Sequence, residues 1–171
     1  EKDEFCMDER IVKETKAEAA KLLEQGQIQT ALPLIRQAAH WGDLDSQLLA
    51  VDLYLHELYG MPRNPFAAIE YVKLAALNGD VHSMYELADM ASKGYGMNKD
   101  EATAFYFMNK AAGLGEKAAC DPLGMMYLMG RGTQKDLEKA LFWLNRAVES
   151  DPENETYQKH LYMAERKSGI K

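Results

Sequence analysis

A catalytic chain needs a nucleophile, a base and a group that orients the base. The serines are Ser46, Ser83, Ser92, Ser150 and Ser168, and none lies in G-x-S-x-G. Each reads as a surface or cap residue. The histidines are His40, His56, His82 and His160; none forms HExxH or another close ligand pair. They read as buried or groove-lining side chains rather than metal ligands. Gly130-Arg131-Gly132 has a phosphate-loop flavour, but no strand precedes it and the spacing recurs as Gly94-Tyr95-Gly96. A repeated turn explains both. Cys6 and Cys120 form no CxxC pair and no disulfide-dense set. No catalytic residue, metal or cofactor is expected.

Composition narrows the partners. The chain has 171 residues, enough for one domain or one short run of repeats. Hydrophobic residues make up 47% and charged residues 27%, which excludes a disordered polar tail. Lys and Arg number 20 against 27 Asp and Glu, a net charge of −7. Such a chain repels phosphate backbones and anionic membrane surfaces, so neither nucleic acid nor membrane is an expected partner. No apolar run approaches the roughly 18–20 residues of a membrane helix. The first residue is Glu1, and no signal peptide is visible. A periplasmic or secreted location, with the signal removed, is expected over a cytoplasmic one.

The elements that must position any site are written in repeats. Residues 64–80, 100–116 and 136–152 align at an offset of 36. Small residues coincide at Ala68, Ala104 and Ala140, and again at Ala75, Ala111 and Ala147. Aromatics coincide at Tyr71, Phe107 and Trp143. An earlier copy at 27–43 fits at an offset of 37, with Ala31, Leu34, Ala38 and Gly42 in those columns. The preceding segments repeat too: Leu87 with Leu123, Gly94 with Gly130, Gly96 with Gly132, Asp100 with Asp136. Tyr54 matches Tyr127 if one residue is inserted between Tyr54 and Tyr59.

Ala68, Tyr71, Ala75 and Gly79 step by 3, 4 and 4, one face of an α-helix. No run alternates with period two. Each unit therefore reads as two helices, with Gly-x-Gly between them and Gly42, Gly79 and Gly115 closing the second. Asp8, Asn64, Asp100 and Asp136 are the expected N-caps, with Pro65 at the first helical position. The alanine columns let paired helices approach closely, and the aromatic column fills the gap between pairs. Removing Trp143 from that core is expected to cost roughly 3–5 kcal/mol. The units are 8–43, 44–80, 81–116 and 117–152, with a polar capping helix at 153–167 and a tail at 1–7. One pair cannot bury its apolar face alone, so the expected architecture is an all-α right-handed superhelical solenoid.

These columns resemble the Sel-1-like repeat, a relative of the tetratricopeptide repeat. Unit four carries Leu123-Gly124, Tyr127, Gly130, Gly132, Asp136, Lys139-Ala140, Trp143 and Arg146-Ala147 of that pattern. Unit three keeps Leu87, Gly94, Gly96, Asp100, Ala104 and Lys110-Ala111-Ala112, but has Ala91 where Tyr is expected. Unit one looks more like an ordinary tetratricopeptide unit. The resemblance implies a non-catalytic scaffold that holds a protein or peptide in a concave groove lined by first helices. Bacterial relatives imply an adaptor or an effector-neutralising immunity protein. The alternatives are a secreted hydrolase of β-lactam or cell-wall type and a self-assembling structural module. Relatives linked to β-lactams carry a Cys pair in each repeat, and this chain does not.

By the same analogy, the groove residues are Leu48, Asp52 and Leu55 in unit two. They are His82, Tyr85, Asp89 and Ser92 in unit three, and Asp121, Met125 and Leu128 in unit four. Tyr157 and Leu161 extend the row on the cap. Acids beside Tyr, Met and Leu suit a partner with a basic rim and an apolar anchor. Cys6 and Cys120 are expected to lie roughly 25–30 Å apart along the stack. That exceeds the about 7 Å between Cα atoms that a disulfide allows, so free or intermolecular thiols are expected.

Overall fold

The structure, a computed structural model, describes residues 8–169. Among them the helices run α1 Glu9–Glu24, α2 Ile28–His40, α3 Leu44–Leu55, α4 Pro65–Leu77, α5 Val81–Lys93, α6 Glu101–Gly113, α7 Cys120–Met129, α8 Leu137–Ser150 and α9 Glu155–Ser168. Single 3-10 turns lie at Leu58–Gly60 and Lys117–Ala119, and no strand occurs among the described residues. The chain forms two compact units, one up to Asp80 and one from Val81. In the first, α1 packs on α2, α2 on α3 and α3 on α4; in the second, α5 through α9 pack in the same consecutive way.

Local chemistry starts each helix where the sequence places it. The Asp8 carboxylate accepts from the Arg10 amide at 2.9 Å, and the Asn64 side-chain oxygen accepts from Ala67 at 3.0 Å. Asp100 accepts from Ala102 and Thr103, and Asp136 from Lys139. Each cap satisfies amide donors that the first helical turn leaves open. The Thr103 hydroxyl and amide hold the Asp100 carboxyl below its ordinary value, and the Lys139 amide and ammonium do the same for Asp136.

The link between the two helices of a repeat is fixed by one backbone bond. The amide of the cap residue donates to a carbonyl in the last turns of the preceding helix. The pairs are Asn64 to Tyr54 at 2.8 Å, Asp100 to Ala91 at 2.9 Å, and Asp136 to Tyr127 at 3.0 Å. The span is ten residues in the first and nine in the others, so the inserted residue is real. The longer turn places Glu57 and Tyr59 in the left-handed region, at φ 54° and 55°. Non-glycine residues pay strain there.

At Gly132 the glycine is compulsory for two reasons. Its φ is +68°, and a Cβ would overlap the backbone carbonyl of Glu101 at the start of α6. The Leu123-Gly124 pair has a parallel explanation. A Cβ on Gly124 would sit 2.7 Å from Leu144 Cγ, so α7 and α8 cross closely there.

The alanine columns behave as their spacing requires. Ala31, Ala38, Ala68, Ala75, Ala104, Ala111, Ala140 and Ala147 are all at 0% exposure. The aromatic column does not. Tyr71 is buried at 1%, but Phe107 and Trp143 are only half-buried. The next residues along, Met108 and Leu144, take the fully buried place. Phe107 and Trp143 are turned outward against Tyr106 and Phe142, edge to face at 4.9 and 5.0 Å. The reading of Trp143 as a core residue is therefore corrected. Cys120 is a buried free thiol, pushed up by its burial. Cys6 and the tail at 1–7 lie outside the described residues.

Two outcomes follow for stability. Tyr71→Ala is expected to cost about 3–5 kcal/mol and Trp143→Ala about 1–2 kcal/mol, read from urea unfolding. Equal costs would return Trp143 to the core. Gly132→Ala is expected to cost about 3 kcal/mol or more, against about 1 kcal/mol for Gly26→Ala. Gly26 has a similar φ of +72° but open space around it. Similar losses at the two positions would mean that the Glu101 carbonyl yields freely.

Candidate functional site

In the second unit the first helices α5 and α7 and the cap α9 carry the predicted groove residues. The α5 row is built at helical spacing: His82, Tyr85, Asp89 and Ser92. His82 is exposed; the other three are half-buried. The His82 and Tyr85 rings lie 6.1 Å apart. His82 also reaches Glu116 at 3.5 Å and Glu86 at 3.9 Å. Lys93 donates to the Asp89 carboxylate at 2.7 Å, and the Ser92 hydroxyl donates to the Asp89 carbonyl. Burial pushes the Tyr85 hydroxyl above its ordinary value, and nearby Asp89 adds to this while Lys93 opposes it. A neutral phenol flanked by fixed charges therefore stands on this face.

Asp121 is the point where the sequence reading changes. It is expected as a groove residue, but it is 7% exposed in the first turn of α7. Its two oxygens lie 2.8 and 3.0 Å from His160 Nδ1 on α9. Burial raises the Asp121 carboxyl, and the bond from His160 pulls it back down. The pair ties the cap helix to the fourth repeat. His160, read from the sequence as buried or groove-lining, lies three residues beyond Tyr157 and on the same helix face; its pairing with Asp121 has no sequence signal. Tyr157 is half-buried, and its hydroxyl is raised first by burial and then by Asp121. Met125 and Leu161 are half-buried, while Leu128 is buried at 4% and belongs to the core.

In the first unit Leu48 is half-buried, Asp52 is exposed and Leu55 is buried at 8%. Leu55 is therefore a core residue and not a groove contact, because its side chain turns inward at the end of α3. Asp52 lies 3.9 Å from His56, one helical turn on. A feature absent from the sequence reading opens between α1 and α3, over α2. It is a cavity of about 150 Å³ lined by residues such as Ala19, Leu23, Leu34, Ile35, Ala38 and Leu49. At its edge Lys16 donates to both Asp43 and Asp45 at 2.8 Å. Those acids hold the Lys16 ammonium above its ordinary value. Contacts of this kind join residues 27 and 29 apart, which no local motif reveals.

The repeat columns now have their geometry, and the comparisons with known proteins fit it. The Sel1 repeat model matches residues 48–80, 81–116 and 118–152. The chain belongs to the Sel1 repeat family. Among solved structures, the Sel1 repeat protein from Oxalobacter formigenes is similar at 31% identity and a TM-score of 0.63. That likeness covers 77% of this chain and 96% of that one. A protective antigen present in uropathogenic Escherichia coli strains, displaying an SLR fold, is 25% identical with a TM-score of 0.57. It covers 86% of this chain and 40% of the antigen. Helicobacter pylori cysteine rich protein B shares the fold alone, at 20% identity and a TM-score of 0.53 over 77% of this chain and 92% of that one. No curated protein matches. The Sel1 chain is thus an all-α repeat solenoid. Sel1 repeats generally mediate protein–protein interaction, and proteins built from them are typically non-catalytic scaffolds. No helix among the described residues is long and apolar enough to cross a membrane.

The Asp121–His160 pair gives a pH prediction. The folded value of Asp121 is above its ordinary one, so keeping the carboxylate ionised costs the fold more as pH rises through that value. His160 offsets that cost. His160→Ala should therefore destabilise the Sel1 chain more at neutral pH than in acid that protonates Asp121. Urea midpoints of both proteins at the two pH values measure this, and equal differences would remove the pair from the account.

Proposed function

We propose that this Sel1 repeat protein is a non-catalytic scaffold that binds a protein partner across the face of its first helices. The observation that carries the reading is the α5 row. Tyr85 stands half-buried between His82 and the Asp89–Lys93 pair, held in place without being absorbed into the core. Tyrosine in that setting supplies contact area with a polar tip and few rotors to freeze. Acids around it suit a basic rim on the partner, and Met125 and Tyr157 of the same unit suit an apolar anchor. The finer role is that of a bacterial adaptor or an effector-neutralising immunity protein. The compartment that fits such a role is the periplasm or the exterior.

The test is a capture from source-cell lysate followed by titration of the purified partner. Wild type is compared with the Tyr85→Ala, Asp89→Ala double variant, and circular dichroism checks that both are folded. Loss of a buried tyrosine anchor is expected to weaken binding by about tenfold or more. If the variant binds the captured partner as tightly as wild type, the first-helix face is not the binding surface.

A further inference from the structure

A second opening lies in the second unit, away from the α5 row. It is a cavity of about 320 Å³ lined by Tyr127 and Leu128 of α7, Lys135 of the turn, Leu137 of α8 and Lys167 of α9. That volume is at the small end of the ~300–1,000 Å³ range of ligand pockets. Its chemistry departs from the rest of the chain, whose net charge is −7. Lys135 and Lys167 have no acidic partner among the described residues. The neighbouring acid, Asp136, is already engaged as the cap of α8 and with Lys139 at 3.1 Å.

Tyr127 adds a directed group. The residue is buried, at 8% exposure. Phe105 packs on it edge to face at 5.3 Å, and the Lys139 ammonium lies 5.4 Å from its ring centre. Its hydroxyl has no hydrogen-bond partner among the described residues. The hydroxyl is not among the buried unpartnered atoms, so it meets solvent at the cavity wall and can exchange that water for a ligand acceptor.

The sign of the ligand follows from magnitudes. α7 and α9 both end beside the cavity, and each carbonyl end carries about half a negative charge. Two lysine ammoniums are full charges and outweigh them. An anion is therefore favoured. Leu128 and Leu137 leave apolar surface that a bare inorganic ion would not cover.

We infer that this cavity binds a carboxylate that carries a short aliphatic group. The carboxylate lies between Lys135, Lys167 and the Tyr127 hydroxyl, and the aliphatic part covers Leu128 and Leu137. The same chemistry is supplied by a free short-chain acid or by the end of a polypeptide whose last residue is aliphatic. The site is separate from the first-helix row, so its failure leaves the partner-binding proposal standing.

The experiment follows amide and side-chain shifts in isotope-labelled protein during titration. The probes are hexanoate, hexanamide, and an acetylated tripeptide ending in leucine with its carboxylate either free or amidated. Saturable shifts centred on Tyr127, Leu128, Lys135, Leu137 and Lys167 are expected with hexanoate or with the free-ended peptide. A response to hexanoate assigns a small acid, and a response to the peptide alone assigns a chain end. Lys135→Gln with Lys167→Gln should weaken that binding by about tenfold or more, and Tyr127→Phe should weaken it with the ring still packed. Both lysines are exposed, so the double variant is expected to fold as wild type does. The inference is overturned if neither carboxylate shifts these residues, if the amides bind equally well, or if the lysine variant binds unchanged.

Discussion

Close helix approach at alanine is the constraint on which each unit depends. The eight alanines at 31, 38, 68, 75, 104, 111, 140 and 147 are wholly enclosed. A larger side chain at any of them would push two backbones apart, and packed interiors have little room to absorb that. The approach also fixes the turns. Where two helices lie close, the chain must reverse tightly, and the bond from the cap amide to the preceding helix sets the length of that reversal. The glycine at 132 follows from the same closeness, since the Glu101 carbonyl occupies the space a side chain would need.

Burying small residues inside has a consequence outside. The small residues lie on the second helices, the first helices bury Leu87, Met90, Leu123 and Met126 against them, and Tyr85, Met125 and, on the cap, Tyr157 are left half-exposed. Polar groups on that face are held by partners from later in the same unit of the fold. His82 meets Glu116, and Asp121 meets His160. The exposed His82–Glu116 contact contributes little to stability, whereas Asp121 is buried and needs its His160 partner. Their effect is to fix the direction in which charge is presented, which matters for partner choice more than for affinity.

The two polar environments of the second unit have opposite character. The α5 row is dominated by carboxylates with one lysine among them. The cavity beside Tyr127 has two lysines with no acidic partner among the described residues, over leucine. A scaffold can present such different chemistries because repeats repeat their cores and not their surfaces. Residues at 54, 91 and 127 make the same backbone bond, yet they are Tyr, Ala and Tyr. Tyr54 stacks on Tyr71 at 5.8 Å, whereas Tyr127 borders an open cavity.

The sequence by itself determined the fold. Period, caps and small-residue columns are local or recur at a fixed offset, so helices, turns and even the single insertion before Asn64 could be read directly. The resemblance to tetratricopeptide units pointed to Tyr85, Asp89 and Met125, and these positions are half-buried. Tertiary structure decided what periodicity cannot express. Phe107 and Trp143 are half-buried beside fully buried Met108 and Leu144, whereas Tyr71 and Val72 are both enclosed. Leu55 and Leu128 turn inward at the ends of their helices. Asp121 is not a free acid, because His160, 39 residues away, meets it only when α9 packs beside α7. Burial and ion pairing belong to distances between elements, and a column of residue types carries no distances.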